Sequence, residues 1–305
     1  MKSNTSTLFR SLSQLSENKH VLPLWENNLQ TNPDLSSLCT ERSRQPDMCD
    51  RALYRISNPE VLIFEPEQSN HTGILVIPGG GYQRIAIDKE GLEIARRLKQ
   101  WGYTVFVMSY RMPEDKHPQG SDVSFTDAQR AMRMIQSHQQ WQHITQWGVL
   151  GFSAGGHIAA RLATQMNQTI FPGQDQIDSH KIHLDFAAFM YPVISMEPEI
   201  AHSGSRHALM GNPAKEILKE KYSIEKHVSA TTPPCFIGHA IDDSSVVVEN
   251  SLSLFKALRT CQIPVEIHLF ETGEHGFCLR TRESTSTHLW PDLLHRWIGH
   301  LSVPQ

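Results

Sequence analysis

Short apolar runs alternate with longer amphipathic stretches along most of the chain, and this alternation predicts a repeat of strands and helices. Six apolar runs predict buried strands: residues 73–78, 103–108, 147–150, 184–192, 234–239 and 265–270. Five stretches predict helices: residues 88–101, 126–140, a segment that begins at 153, 247–259 and 288–301. Such alternation is typical of an α/β fold with a mostly parallel sheet that is covered by helices on both faces.

The pattern changes at three places, and these changes predict the domain organisation. Residues 1–50 are rich in Ser, Asn, Gln and Thr, which predicts a partly ordered N-terminal extension with Trp25 docked on the body. Residues 51–305 form the predicted catalytic domain, which opens with an antiparallel pair formed by residues 54–56 and 61–64 around a turn. A segment at about 194–228 lacks strand-like alternation and predicts a small cap insertion.

The pentapeptide Gly151-Phe152-Ser153-Ala154-Gly155 lies where an apolar strand run meets a helix pattern. This context predicts a nucleophile elbow, a tight turn that holds a serine hydroxyl at its tip. Small residues are needed there because the turn brings backbone segments close together. Ser153 would lie above a helix N-terminus, which favours a developing anion. The alternative is a glycine-rich turn that holds a serine without function.

A serine hydroxyl needs a histidine to accept its proton and a carboxylate to orient that histidine. Asp243 and His275 follow Ser153 in the order Ser, Asp, His, each on a loop after a predicted strand. Asp242 is expected to point to solvent or to hold the turn, and both aspartates could instead only solvate the loop. With 17 histidines in the chain, His275 could also be an exposed loop residue, whereas His157 is interpreted as a packing residue.

Three glycines follow the first apolar strand, in Pro78-Gly79-Gly80-Gly81-Tyr82. Acyl transfer needs N–H donors aimed at the oxyanion. We expect one donor from Ala154, the residue after the nucleophile, and a second from Gly80 or Gly81. A phosphate-binding loop is the alternative, but the glycine spacing and the Lys-Ser/Thr ending of such loops are both absent from this stretch.

Composition limits the classes of partner that we expect. The 305 residues carry a formal net charge of −4, which gives no reason to expect nucleic acid or an anionic membrane as a partner. No apolar run is long enough to span a bilayer, and the first ten residues contain no apolar core of signal-peptide length, so a cytoplasmic location is expected. The five scattered cysteines suggest reduced thiols. The oligomeric state is left open.

The chain resembles α/β-hydrolase-fold serine esterases of the acetylxylan-esterase-like and feruloyl-esterase-like (BD-FAE-type) group. The resemblance extends over residues 51–297 and rests on these stretches: 56–59, 77–82, 89–91, 109–113, 127–132, the elbow, Asp242-Asp243 and 275–277. It implies the α/β-hydrolase fold and ester hydrolysis through Ser153, His275 and Asp243. Residue 78 is proline where hormone-sensitive-lipase-type enzymes carry histidine, which weakens a general lipase assignment.

Together the residues and the resemblance predict a serine carboxylic-ester hydrolase that needs no cofactor or metal. The expected substrate is a small-molecule or oligosaccharide ester, most of all an acetylated sugar or xylo-oligosaccharide. Tyr82 is expected either to line the acyl pocket or to pack in the core. The alternatives are a prolyl-oligopeptidase-type peptidase, a general short-chain carboxylesterase, and a hydrolase fold that only binds sugars or a protein.

Overall fold

The computed structural model describes residues 6–17, 19–25, 32, 34–281 and 283–301. Its strands are β1 (Ser6–Leu8), β2 (Val21–Pro23), β3 (Leu38–Glu41), β4 (Arg51–Tyr54), β5 (Glu60–Phe64), β6 (Thr72–Ile77), β7 (Thr104–Met108), β8 (Gln146–Phe152), β9 (Phe186–Met190), β10 (Cys235–Ala240) and β11 (Val265–Phe270). Its α-helices are α1 (Glu93–Gln100), α2 (Val123–Ser137), α3 (Ser153–Gln165), α4 (Ser203–Met210), α5 (Ile217–Tyr222), α6 (Glu249–Thr260) and α7 (Trp290–Leu301). The expectation for the first ten residues falls partly outside the described residues.

The main sheet confirms the predicted mostly parallel arrangement. Its strand order is β11-β10-β9-β8-β6-β7-β5-β2. The strands from β11 to β7 pair in parallel, whereas β5 pairs antiparallel with β7 and β2 pairs antiparallel with β5. Every residue of β6 and β7 is buried, and successive side chains of a strand point to opposite faces. Both faces of the sheet centre are therefore covered.

The strand order places the candidate residues at one edge of this sheet. The glycine loop follows β6, Ser153 follows β8, Asp243 follows β10 and His275 follows β11. These strands are parallel, so their carboxyl ends meet at the same edge, where open α/β sheets bind ligands.

The predicted antiparallel pair at residues 54–56 and 61–64 is wrong. Strand β4 pairs with β3 in a separate three-stranded sheet of order β1-β3-β4, whereas β5 joins the main sheet beside β7. Register in that small sheet runs from Leu38 opposite Tyr54 to Glu41 opposite Arg51. The polar segment before residue 51 thus supplies the partner of β4, which local apolar patterning could not indicate.

The N-terminal segment also contributes to the main sheet and to the core. Strand β2 covers the edge of β5, and Trp25 is buried, with its Nε1 donating to Asp127 Oδ1 over 2.8 Å. The guanidinium groups of Arg111 and Arg130 lie over the Trp25 ring, 5.4 and 5.0 Å from its centre. Trp25 is therefore docked on the body, as the sequence predicts.

The segment between β9 and β10 contains α4 and α5, where the sequence predicts a cap. Asn250 of α6 holds its start, because Asn250 Oδ1 accepts the N–H groups of Ile194 and Ser195 over 2.9 and 3.0 Å. Its second helix, α5, is held by Lys221, whose Nζ lies 2.7 Å from Asp122 Oδ2. None of the described helices is both long and apolar enough to cross a bilayer. The cytoplasmic location stays a prediction.

Candidate active site

Ser153 lies at the sharp turn between β8 and α3. Its φ is 53°, in the left-handed region that non-glycine residues seldom adopt. The turn is tight because a Cβ on Gly155 would overlap the carbonyl oxygen of Ile77. The apolar strand, the glycines and the helix behind them thus fold locally into an elbow that presents one hydroxyl at the sheet edge.

Three side chains from three loops form one line of hydrogen bonds. Ser153 Oγ lies 2.8 Å from His275 Nε2, and His275 Nδ1 lies 2.6 Å from Asp243 Oδ2. Since an ionised carboxylate only accepts, His275 Nδ1 carries a proton and Nε2 is left to accept from the serine hydroxyl. The arrangement can withdraw a proton from Ser153 and stabilise the imidazolium that results.

The carboxylate of Asp243 is buried and fully hydrogen-bonded. Its Oδ1 accepts the backbone N–H groups of Ser245 and Val246, each over 2.9 Å. Its Oδ2 also lies 3.2 Å from His239 Nε2. Burial alone would raise the pKa of Asp243, but hydrogen bonds from His239 and His275 hold that pKa well below its usual range. Asp243 is therefore ionised whenever the fold is intact near neutral pH.

His239 is a site residue that the sequence analysis missed. It is fully buried at the end of β10, and its Nδ1 lies 2.7 Å from Ser251 Oγ. Its Nε2 faces two acceptors, the carboxylate of Asp243 and the carbonyl of Val246, so that nitrogen carries the proton. The only signal in the sequence was a histidine four residues before the aspartate.

The neighbouring carboxylate has a separate task. Asp242 Oδ1 accepts the N–H groups of Gly273 and Glu274, over 2.9 and 2.8 Å. These two residues directly precede His275 in the chain. Asp242 therefore holds the histidine loop, which agrees with the turn-holding alternative for this residue.

The glycine loop is held by a buried glutamate that the sequence analysis assigned no role. Glu90 Oε2 accepts the Gly79 N–H over 2.7 Å, and Glu90 Oε1 accepts the Tyr191 hydroxyl over 3.2 Å. Within the described residues, the N–H groups of Gly80 and Gly81 donate to no other group. The Gly79 donor is thus occupied, whereas the donors of Gly80 and Gly81 are available to a ligand.

Ala154 is the other expected donor, and it lies in the first turn of α3. The first N–H groups of a helix have no partner inside that helix.

The ring of Tyr191 packs edge-on against His275 with centres 5.0 Å apart. Glu90 therefore connects the glycine loop to the packing of His275 through one side chain, Tyr191.

We expect Glu90→Ala to lower kcat about 10- to 100-fold with little change in KM, because small displacements of positioned groups have effects of this size. Glu90→Gln should retain most of kcat, since the amide oxygen still accepts the Gly79 N–H and the amide nitrogen can donate to Tyr191. Steady-state kinetics on a soluble acetyl ester would measure both. Glu249→Ala, on the exposed side of α6, is the control. Equal kcat values for Glu90→Ala and wild type would contradict this positioning role.

Tyr82 lies where the packing alternative places it. It is 2 % exposed, and its hydroxyl lies 2.7 Å from His157 Nδ1. His157 Nε2 in turn lies 2.8 Å from the carbonyl oxygen of Tyr222, so Nε2 donates and Nδ1 accepts from Tyr82. This occupied hydroxyl does not favour the expectation that Tyr82 lines the acyl pocket. His157 is a packing residue, as interpreted from the sequence.

Burial lowers the pKa of His157 to about 4, so the folded protein holds this imidazole neutral. Unfolded chains bind a proton there near pH 6.5, so its contribution to stability is complete above pH 6.5 and is lost as the pH falls to about 4. We expect His157→Gln to reduce the fall in the free energy of unfolding between pH 7 and 4 by about 3 kcal/mol. Urea unfolding at several pH values would measure this. His143→Gln, at an exposed histidine, should behave like wild type, and an unchanged pH dependence in His157→Gln would count against this interpretation.

The described residues contain no group of three or more His, Cys, Asp or Glu side chains that could hold a metal ion. All five cysteines are free thiols, and Cys39, Cys235 and Cys278 are buried.

Comparison with known proteins gives two curated relatives. The chain is 28 % identical over 255 residues to an acetylxylan esterase of Xylanibacter ruminicola, a match that covers 81 % of this chain and 49 % of the relative. It is 34 % identical over 219 residues to endo-1,4-beta-xylanase B of Butyrivibrio fibrisolvens. This match covers 69 % of this chain and 33 % of that protein. The chain therefore spans about half the length of the first relative and a third of the second.

A solved structure matches nearly the whole chain. The acetyl ester-xyloside bifunctional hydrolase of Caldicellulosiruptor lactoaceticus superimposes with a TM-score of 0.74 at 31 % identity, over 92 % of this chain and 96 % of that one. The BD-FAE family model matches residues 61–258, more than half of the chain. That segment contains the glycine loop, the elbow and Asp243. The chain thus has the α/β-hydrolase fold and belongs to the BD-FAE family.

Proposed function

We propose that this protein is a serine carboxylic-ester hydrolase that removes acetyl groups from acetylated sugars or xylo-oligosaccharides. The observation that carries the proposal is the hydrogen-bonded line of Ser153, His275 and Asp243 beside a loop with available N–H donors. The names of two relatives, an acetylxylan esterase and an acetyl ester-xyloside hydrolase, support the acetyl and xylose parts of the proposal.

In the proposed reaction, Ser153 Oγ attacks the ester carbonyl while His275 Nε2 accepts its proton. The tetrahedral oxyanion lies against the N–H groups of Ala154 and of Gly80 or Gly81. His275 then donates the proton to the leaving alcohol, and the acyl group stays on Ser153. Water, activated by His275, attacks this acyl-enzyme and releases the acid, which restores the serine. The reacting groups are protein side chains and water.

Ester hydrolysis fits these residues better than cleavage of a glycosidic bond. A glycosidase needs two carboxyl groups that face each other across the scissile bond. Asp243 is instead saturated by His239, His275 and two backbone donors. The xylanase name belongs to a relative of which the chain covers only a third, so the chemistry of that name can belong to the remaining length.

The experiment compares ester and amide substrates on the purified protein. We expect hydrolysis of acetylated xylo-oligosaccharide and of 4-nitrophenyl acetate, with rates that fall from acetate through butyrate to octanoate. Aminoacyl-proline amides should not be cleaved. A fluorophosphonate probe should label Ser153, as located by peptide mass spectrometry. Cleavage of the proline amides alone would favour the peptidase alternative. Equal rates for acetate and butyrate would favour a general short-chain carboxylesterase. Absence of labelling would favour a protein that only binds.

A further inference from the structure

Among the residues that the structure describes, the guanidinium group of Arg84, beside the glycine loop, has no partner. Arg84 ends the turn that begins at Gly80, where its N–H donates to the Gly80 carbonyl over 3.3 Å. Its Cγ lies 3.0 Å from the position that a Cβ on Gly80 would occupy. The side chain is half-buried, its Nε is buried without a hydrogen bond, and it forms no ion pair within the described part of the chain. A partly desolvated cation without a counter-charge is costly, which favours a site that an anionic ligand completes.

The cap places a second donor over the same loop. His202 directly precedes α4, and its Cε1 lies 3.5 Å from the position of a Cβ on Gly81. His202 Nδ1 accepts the Ser205 N–H over 3.2 Å, so the proton of the neutral ring is on Nε2. Nε2 donates to none of the described residues. Burial lowers the pKa of His202, which keeps the ring a neutral donor near neutral pH.

The chemistry of the proposed substrate indicates which part of the ester meets these donors. The leaving oxygen must lie next to His275 Nε2, because that nitrogen protonates it. The acetyl group of the proposed substrate carries no charge, so an anionic group that meets Arg84 belongs to the alcohol part. The two donors therefore border the alcohol part of the substrate.

We propose that Arg84 and His202 form a subsite that binds a carboxylate on the alcohol part, so that the preferred substrates are acetyl esters of acidic sugars. This inference rests on the proposed function. A guanidinium binds a carboxylate through two parallel hydrogen bonds, which a neutral hydroxymethyl group cannot form. His202 Nε2 donates to a ring hydroxyl or to the second carboxylate oxygen.

The test uses two substrates that differ only in charge: the O-acetylated methyl glycosides of glucuronic acid and of glucose. The measured quantity is the ratio of their kcat/KM values. We expect wild type to favour the acidic ester about tenfold and Arg84→Gln to lose this preference. Arg84→Lys should keep part of it, and added salt should reduce it. The control is Arg97→Gln on α1, which removes a positive charge that lies over the Trp101 ring and should leave the ratio unchanged.

A wild-type ratio near one, or a preference that persists in Arg84→Gln, would overturn the subsite. The glucose ester and 4-nitrophenyl acetate separate this result from failure of the proposed function, because both remain substrates if only the subsite is wrong. A readout without turnover is titration of Ser153→Ala with methyl glucuronide and methyl glucoside. Tighter binding of the glucuronide, lost on adding Arg84→Gln, supports the subsite, and equal affinities contradict it.

Discussion

Replacing Ser153 with alanine is expected to lower kcat for acetyl ester hydrolysis by about 10⁵- to 10⁶-fold, because removal of the nucleophile from a serine triad has effects of this size. The substitution deletes the one atom that accepts the acyl group, while the N–H donors of the glycine loop and of Ala154 remain. KM for the ester should change far less than kcat. Stopped assays over many hours, with acetate release as the readout, would measure the residual rate.

The variant should stay folded, because alanine needs no hydrogen bond where Ser153 lies. Thermal unfolding followed by circular dichroism would verify this. Ser253→Ala removes a hydroxyl from α6, a helix that carries no triad residue, and should keep wild-type activity. Residual activity of a few per cent in Ser153→Ala, after contaminating esterases are excluded, would disprove the assignment of the nucleophile.

Replacing Asp243 with asparagine is expected to lower kcat by about 10⁴-fold, the size of effect that follows when a triad histidine is held in the wrong tautomer. The reason is the pair of backbone N–H groups on Oδ1. An asparagine must turn its oxygen toward those donors, so its NH₂ group faces His275 Nδ1. That nitrogen then has to accept, and the proton moves to Nε2, which can no longer accept from Ser153.

Asp242→Asn is a matched control because it makes the same replacement, of one carboxylate oxygen by an NH₂ group, in the adjacent residue. Its remaining oxygen can still accept the N–H groups of Gly273 and Glu274, so a loss of less than about tenfold is expected. The pKa of Asp243 is held well below its usual range, so the Asp243→Asn defect should persist at every pH from 5 to 9. Similar activity in the two asparagine variants would show that Asp243 does not orient His275.

The parts of the fold that follow local patterns could be predicted. The apolar run before Ser153 and the helix pattern after it are continuous in sequence, and so the elbow is visible without tertiary information. Asp243 and His275 could be placed at the sheet edge because each follows a strand whose carboxyl end must lie there, and the resemblance of the loop around Asp243 to hydrolase acid loops separated it from Asp242. Their common line of hydrogen bonds then depends on strand order and on the conformation of the two loops.

Other parts depend on contacts that the sequence does not encode locally. Glu90 lies on a helical segment and meets Gly79 only because the glycine loop folds back over it. His239 looks like an ordinary strand residue until β10 brings it beneath Asp243. Strand β4 was paired with the wrong partner because its true partner, β3, lies in the polar segment before residue 51, where the periodic apolar signal is weak.

The match to the family begins at residue 61, yet β2 and Trp25 lie well before it. A truncated variant that starts near residue 60 would leave the backbone of β5 open on one side, and an open strand edge is a template for self-association. It would also leave the buried Asp127 without its indole donor. Chimeras and minimal versions of this protein should therefore carry the leading segment with them, although Ser153, Asp243 and His275 all lie after it.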